Sequence, residues 1–220
     1  LPRPEHRKPT KPSFFWQTIV RAICNLGMGG CKLEYTTEGL DAVKNEPCLI
    51  LMNHTCFQDM EVAYKILFPR QFNIVCSNDG FIGFFGLMEW LMRSIGCIPT
   101  QKFVSDVSLI RDMEYCFKTL KNSVLMYPEA GYSFDGRTTT LPRRLGVLMK
   151  RLGVPVVTVI TQGAFHRDPL YNMLQIRDIT VSAHVKCIAT PEEIAEKSVE
   201  ELDALLDEAF SFDNFAWQRD

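Results

Sequence analysis

Cys48-Leu-Ile-Leu-Met52-Asn-His54-Thr-Cys-Phe-Gln-Asp59 is the stretch on which the reading of this chain turns. Its first five residues form an unbroken apolar run, too short for a helix, and predict a strand buried on both faces. Asp59 opens a helical pattern that reaches Phe68 and is stopped by Pro69. A histidine delivered at a strand end, with a carboxylate about one turn on, is an arrangement that holds an imidazole as a general base. The spacing alone is common. Asp59 reads equally as a first-turn acid favoured by the helix dipole, and His54 as a polar residue at a strand end.

Outward from this stretch, strands and helices alternate. Lys32–Thr37, Phe72–Cys76, Ser123–Tyr127, Val154–Ile160 and Ile179–Ile188 read as strands. Gly83–Ile95 is apolar on nearly every side. Ser105 or Asp106 caps a helix whose Val107, Ile110, Met113, Phe117 and Leu120 recur at helical spacing. Pro142–Leu152 reads as a helix closed by Gly153. Thr190-Pro191-Glu-Glu193 is a capping box with proline at the first helical position, leading a helix to about Phe210. This alternation predicts an α/β fold: a largely parallel central sheet covered by helices on both faces. Ser13 opens an N-terminal amphipathic helix, too short and too interrupted by Gln17 and Arg21 to span a bilayer. Two readings of it stand, an interfacial helix beside a basic lead and a helix packed on the domain's own core.

A chain of 220 residues with 46% hydrophobic content suffices for one well-packed domain. Its eight cysteines form no C-x-x-C pair, and Cys24, Cys48, Cys76 and Cys187 fall inside apolar runs. That usage suits reduced, buried thiols rather than a disulfide framework. His54, Cys56 and Asp59 lack the further ligand pair that a metal site needs, so no metal is expected. A net charge of −2 and a short basic run, Arg137 to Arg151, without interleaved aromatics exclude nucleic acid as the expected partner. The same run holds Arg137, Arg143, Arg144, Lys150 and Arg151 and no acid, which favours an anionic ligand or lipid headgroup; a solvated helix face reads the same way. No cleavable leader is legible in the proline-punctuated start.

Three further blocks follow His54 in order: Gly96-Cys-Ile-Pro-Thr-Gln-Lys102, Tyr127-Pro-Glu-Ala-Gly-Tyr-Ser133 and Val154-Pro-Val-Val-Thr-Val159. Together with the first block they resemble the glycerolipid acyltransferases, the family of 1-acylglycerol-3-phosphate and related lysophospholipid acyltransferases. The resemblance spans about Gly39 to Ile188. It implies that residues 31–220 form an acyltransferase domain behind a basic lead and helix over residues 1–30. It also implies that His54 is the general base and Asp59 its partner in the H-x4-D pattern, with no covalent intermediate. The acceptor's polar end would be held by Glu129, Gly131, Ser133 and Lys102, with Arg137, Arg143 and Arg144 nearby. Lys102 stands where the family carries arginine and lacks its bidentate fork. Tyr132 also stands where the family carries a phosphate-facing arginine, and a phenol does not replace that charge. Either the nearby arginines supply it, or the acceptor is not a simple glycerol phosphate.

The implied activity is transfer of a fatty acyl group from acyl-CoA or acyl-carrier protein to a hydroxyl of lysophosphatidic acid or a related lysophospholipid. Backbone N–H groups of the His54 loop, or of the helix beginning near Asp59, would steady the oxyanion. No cofactor is expected, because the thioester co-substrate supplies the driving force. The expected setting is the cytoplasmic face of a membrane, as a peripheral protein. Phe81–Met92, rich in aromatics and methionine, reads as an acyl-chain groove or as a core helix. Two other functions remain open on the same residues: an ester or thioester hydrolase, and a non-catalytic lipid-binding module.

Overall fold

The structure, a computed structural model, describes residues 5–29, 31–56, 58–82, 86–101, 106–133, 140–167, 173 and 177–211. Helix α1 (Phe14–Gly27) leads into strand β1 (Leu33–Glu38) and then β2 (Leu49–Met52). After α2 (Asp59–Ile66) come β3 (Phe72–Ser77), α3 (Leu87–Ser94), β4 (Cys97–Thr100), α4 (Val107–Tyr115) and β5 (Ser123–Met126). The second half runs α5 (Leu145–Leu152), β6 (Val156–Gln162), α6 (Ala164–Arg167), β7 (Val181–Ala189), α7 (Pro191–Glu196) and α8 (Val199–Phe210). The strands form one sheet in the order β1-β7-β6-β2-β5-β3-β4.

The largely parallel sheet expected from the alternation is present, with one departure. β7 enters antiparallel to β6 and lies between β6 and β1, while β1 runs parallel to β7. β2 sits at the centre between β5 and β6, parallel to both. Its unbroken apolar run follows from that place: Ile50 and Met52 enter a core shared with α1 and α2, while Leu49 and Leu51 enter one shared with α4, α5, α7 and α8. Helices thus cover both faces. α1 packs on α2 through Cys24, Trp16 and Val20, and turns Phe14, Phe15, Ile23 and Leu26 outward. Among the described residues no helix is long and apolar enough to cross a membrane.

The basic lead is tied down. Pro9 and Pro12 are buried, His6 Nε2 meets Asp112 Oδ1 at 3.1 Å, and Asn73 Nδ2 donates to the Thr10 carbonyl at 2.9 Å. Pro12 also explains Gly96, whose φ is +86° and where a Cβ would stand 2.9 Å from the Pro12 ring.

Strand ends shift by a residue or two from the sequence reading, and three helices depart from it further. The helix read from Pro142 starts at Leu145, because Arg144 takes a left-handed conformation (φ +67°) and the first turn is capped from elsewhere: Gly146 N–H donates to Asp203 Oδ1 at 2.7 Å. The single helix expected from Thr190 to Phe210 is two. Thr190 and Glu193 form the expected capping box, but Ser198 and Glu201 form a second one and restart the helix. The stretch Gly83–Ile95, apolar on nearly every side, holds a helix over Leu87–Ser94, with residues 83–85 outside the described ones. Of the two candidate caps of α4, Asp106 accepts from Ser108 N and Leu109 N, and Ser105 lies outside the described residues.

Candidate active site

β2, β5 and β6 are parallel neighbours, so the loops leaving their carboxyl ends gather at one edge of the sheet. Leaving β2, the chain presents His54, and α2 begins at Asp59. His54 Nδ1 lies 3.1 Å from Asp59 Oδ2, the local contact the five-residue spacing suggests. Asp59 is fully buried, and every other group it meets donates: Thr55 N at 2.6 Å and Cys56 N at 2.9 Å to Oδ2, and Thr55 Oγ1 at 2.9 Å to Oδ1. Thr161 Oγ1 on β6 adds a contact at 3.4 Å, and also reaches Asn53 Oδ1 at 3.2 Å. A carboxylate so placed offers only lone pairs to the imidazole. Nδ1 therefore carries the ring proton and Nε2 keeps its lone pair.

One expectation changes here. Thr55 and Cys56, the backbone donors nearest His54, are spent on Asp59 Oδ2 and so do not face an incoming oxyanion. Of the donors suggested from sequence, those at the start of α2 are left.

Two aromatic rings hold the imidazole. The Tyr127 ring centroid is 4.0 Å from that of His54, with the planes 18° apart, and the Tyr132 centroid is 4.1 Å away, tilted 39°. Centroids that close require face contact, and two phenol rings do not fit on one face of an imidazole. They take opposite faces. With Nδ1 on Asp59 and both faces covered, the Nε2 edge provides the opening, and the side chain is only 17% exposed. The Tyr127 hydroxyl is buried and has no hydrogen-bond partner among the described residues. Burial first, and the Asp59 carboxylate second, hold its phenol well above the usual range, so it stays neutral.

The loop that carries both tyrosines is clipped to His54 itself: Ser133 N–H donates to the His54 carbonyl at 2.8 Å. Ala130 turns this loop in a left-handed conformation, φ +57°. Ser133 is fully buried, and the Glu129 carboxylate oxygens are buried as well. Gly131 is different, since a Cβ there would meet nothing within 4 Å. Arg143 and Arg144 are exposed just before α5, at the sheet edge that β5 leaves and from which α5 runs back to β6. Lys102 and Arg137 lie outside the described residues. Asn53, Thr55 and Thr161, and the aromatic clamp of Tyr127 and Tyr132, were missed as site-builders by the sequence reading. Only Tyr132 carried a signal, its departure from the arginine of the motif. Among the described residues no group of three or more His, Cys, Asp or Glu side chains is placed to hold a metal ion.

The crystal structure of the 1-acyl-sn-glycerophosphate (LPA) acyltransferase PlsC from Thermotoga maritima matches with a TM-score of 0.69 at 16% identity, over 88% of this chain and 76% of that one. At that identity the likeness is one of fold. No curated protein sequence matches. The model of the family described as Acyltransferase matches residues 34–162, which include both the His54–Asp59 loop and the Tyr127–Ser133 loop. The match takes in more than half of the chain, which accordingly belongs to the acyltransferase family.

Proposed function

We propose that this protein transfers a fatty acyl group from a thioester, acyl-CoA or acyl-carrier protein, to a hydroxyl of lysophosphatidic acid or a related lysophospholipid, with His54 as general base. The observation that carries this reading is the His54–Asp59 pair, Nδ1 to Oδ2 at 3.1 Å, with Nε2 at the open edge. The acceptor oxygen attacks the thioester carbonyl carbon as its proton passes to Nε2. Collapse of the tetrahedral intermediate breaks the C–S bond, and the departing sulfur takes the proton back from the imidazolium. Asp59 holds the tautomer and balances the transient charge. Glu129, Gly131 and Ser133 line the loop beside the base. Lys102, Arg137, Arg143 and Arg144 supply positive charge for an anionic headgroup.

A membrane surface is the place where such an acceptor is found. In support, α1 turns Phe14, Phe15, Ile23 and Leu26 outward, and α3 adds Leu87 and Trp90, with Trp16 and Trp90 in edge-to-face contact at 5.4 Å. An outward apolar helix beside a basic lead suits peripheral attachment to anionic lipid at the cytoplasmic face.

The test is release of free thiol from a panel of acyl-CoAs, with and without lysophosphatidic acid, for the parent and His54→Ala. Acceptor-dependent release lost in the variant supports the reading. Release that needs His54 but no acceptor replaces it with a hydrolase.

A further inference from the structure

The clamp around His54 does more than fill space. Tyr132 sits one residue before Ser133, whose N–H is bonded to the His54 carbonyl at 2.8 Å, so its ring is carried on a loop pinned to the base it covers. Tyr127, at the other end of the same loop, covers the opposite face at 4.0 Å, and its phenol is kept neutral by burial and by Asp59. Both centroids lie well within the range at which a cation is attracted to the face of an aromatic ring. In the step proposed above, the imidazole is neutral before transfer and a cation during it. A π face on each side of the ring is therefore worth more in the transition state than in the ground state, and that difference accelerates the reaction. The same two faces stop the imidazole from tipping about its bond to Asp59, which keeps Nε2 aimed at the opening.

We propose that Tyr132 is a positioning residue for His54: its ring closes the imidazole face that Tyr127 leaves open and shares the positive charge that the imidazole gains during acyl transfer. The inference rests on the reading of His54 as the base. It assigns to Tyr132 a role opposite in kind to that of an arginine at the same place. A guanidinium faces an anionic ligand, whereas this ring faces the base and leaves the anionic headgroup to other residues.

Two measurements on the parent, Tyr132→Ala, Tyr132→Phe and His54→Gln test it. The first is proton NMR of the histidine rings, of which the chain has four, with His54→Gln identifying the resonance of interest. Flanking rings shift the His54 signals upfield. We expect the shift to shrink in Tyr132→Ala and to persist in Tyr132→Phe. The second is steady-state kinetics of acyl transfer, in which kcat falls roughly threefold to thirtyfold in Tyr132→Ala with little change in KM, and Tyr132→Phe recovers it. A Tyr132→Ala variant with the parent's kcat overturns the positioning role, and so does an unmoved His54 resonance. Equal losses in the Ala and Phe variants overturn it in favour of the hydroxyl. If the parent itself shows no His54-dependent turnover, the acyl-transfer reading fails and the charge-sharing role falls with it. Turnover in the parent that Tyr132→Ala matches sinks the positioning role alone.

Discussion

Thr161 and Asp59 are 102 residues apart in the chain, and the hydroxyl of the first stands 3.4 Å from the carboxylate of the second. β6 lies beside β2 in the sheet, and that adjacency brings a second strand's side chain against the partner of the candidate base. Thr161→Val keeps the shape and removes the donor. The loss expected is about 1 kcal/mol of stability, read from urea unfolding, because one buried hydrogen bond disappears without leaving a large cavity. Turnover is expected to fall less than in any variant of Asp59 itself.

Asp59→Asn is the sharper test. An amide can turn its oxygen to Thr55 N, Cys56 N and His54 Nδ1 and its NH2 to the Thr55 and Thr161 hydroxyls, so the hydrogen bonds survive while the charge that balances the imidazolium is lost. A fall in kcat of about 10²-fold or more is expected, because the imidazolium formed during transfer no longer has a carboxylate beside it. Thermal unfolding should shift down at the same time. A variant that keeps its activity would remove Asp59 from the chemistry.

Ala130 holds a left-handed conformation that costs an L-residue roughly 1–2 kcal/mol and glycine almost nothing. Glycine also loosens the unfolded chain, which costs about 0.4–1 kcal/mol. Ala130→Gly is accordingly expected to stabilise the protein by a few tenths to about 1 kcal/mol, measured as a higher urea midpoint at unchanged slope. A drop in the midpoint would mean that the loop relaxes around alanine.

Asp203 on α8 caps α5 by accepting from Gly146 N–H, and Gly146 permits the approach because a Cβ there would stand 2.6 Å from the Val199 carbonyl. Asp203→Ala should cost about 1 kcal/mol, and Asp203→Asn much less, since a side-chain oxygen remains to accept. Equal losses would point to charge rather than to the cap.

Buried thiols make stability fall in alkali. Burial pushes Cys48 up to about 11, and Cys24 and Cys116 up to about 12, from an ordinary 9.0. The unfolded chain therefore releases these protons first. Stability contributed by the neutral thiols is fully present below pH 9 and is lost as the pH rises toward 11 and 12. Buried Tyr64 and Tyr127, also shifted upward by burial, act in the same direction at higher pH. Urea midpoints at pH 8, 9 and 10 test this, and a flat series would contradict it. Before unfolding, a thiol reagent at pH 8 should react mainly with the half-buried Cys76 and Cys187.

Sequence by itself determined what depends on neighbours along the chain. The apolar run of β2, the contact of His54 with an aspartate five positions on, the Thr190 capping box and the α/β alternation are local, and each left a pattern in consecutive residues. The Ser198 box was equally local, yet Ile194, Leu202 and Leu206 continue the apolar periodicity across it, and the pattern of burial concealed the break in the backbone. Tertiary structure decided what depends on strand order. β7 reverses beside β6, a choice that periodicity does not encode because its alternation of buried and more open residues reads alike in either direction. Thr161 reaches Asp59, Asp203 reaches Gly146, and Tyr127 and Tyr132 enclose His54 only once the sheet has placed their strands side by side. Contacts of that kind are made between surfaces rather than between sequence neighbours, and the order of strands in the sheet sets which surfaces meet.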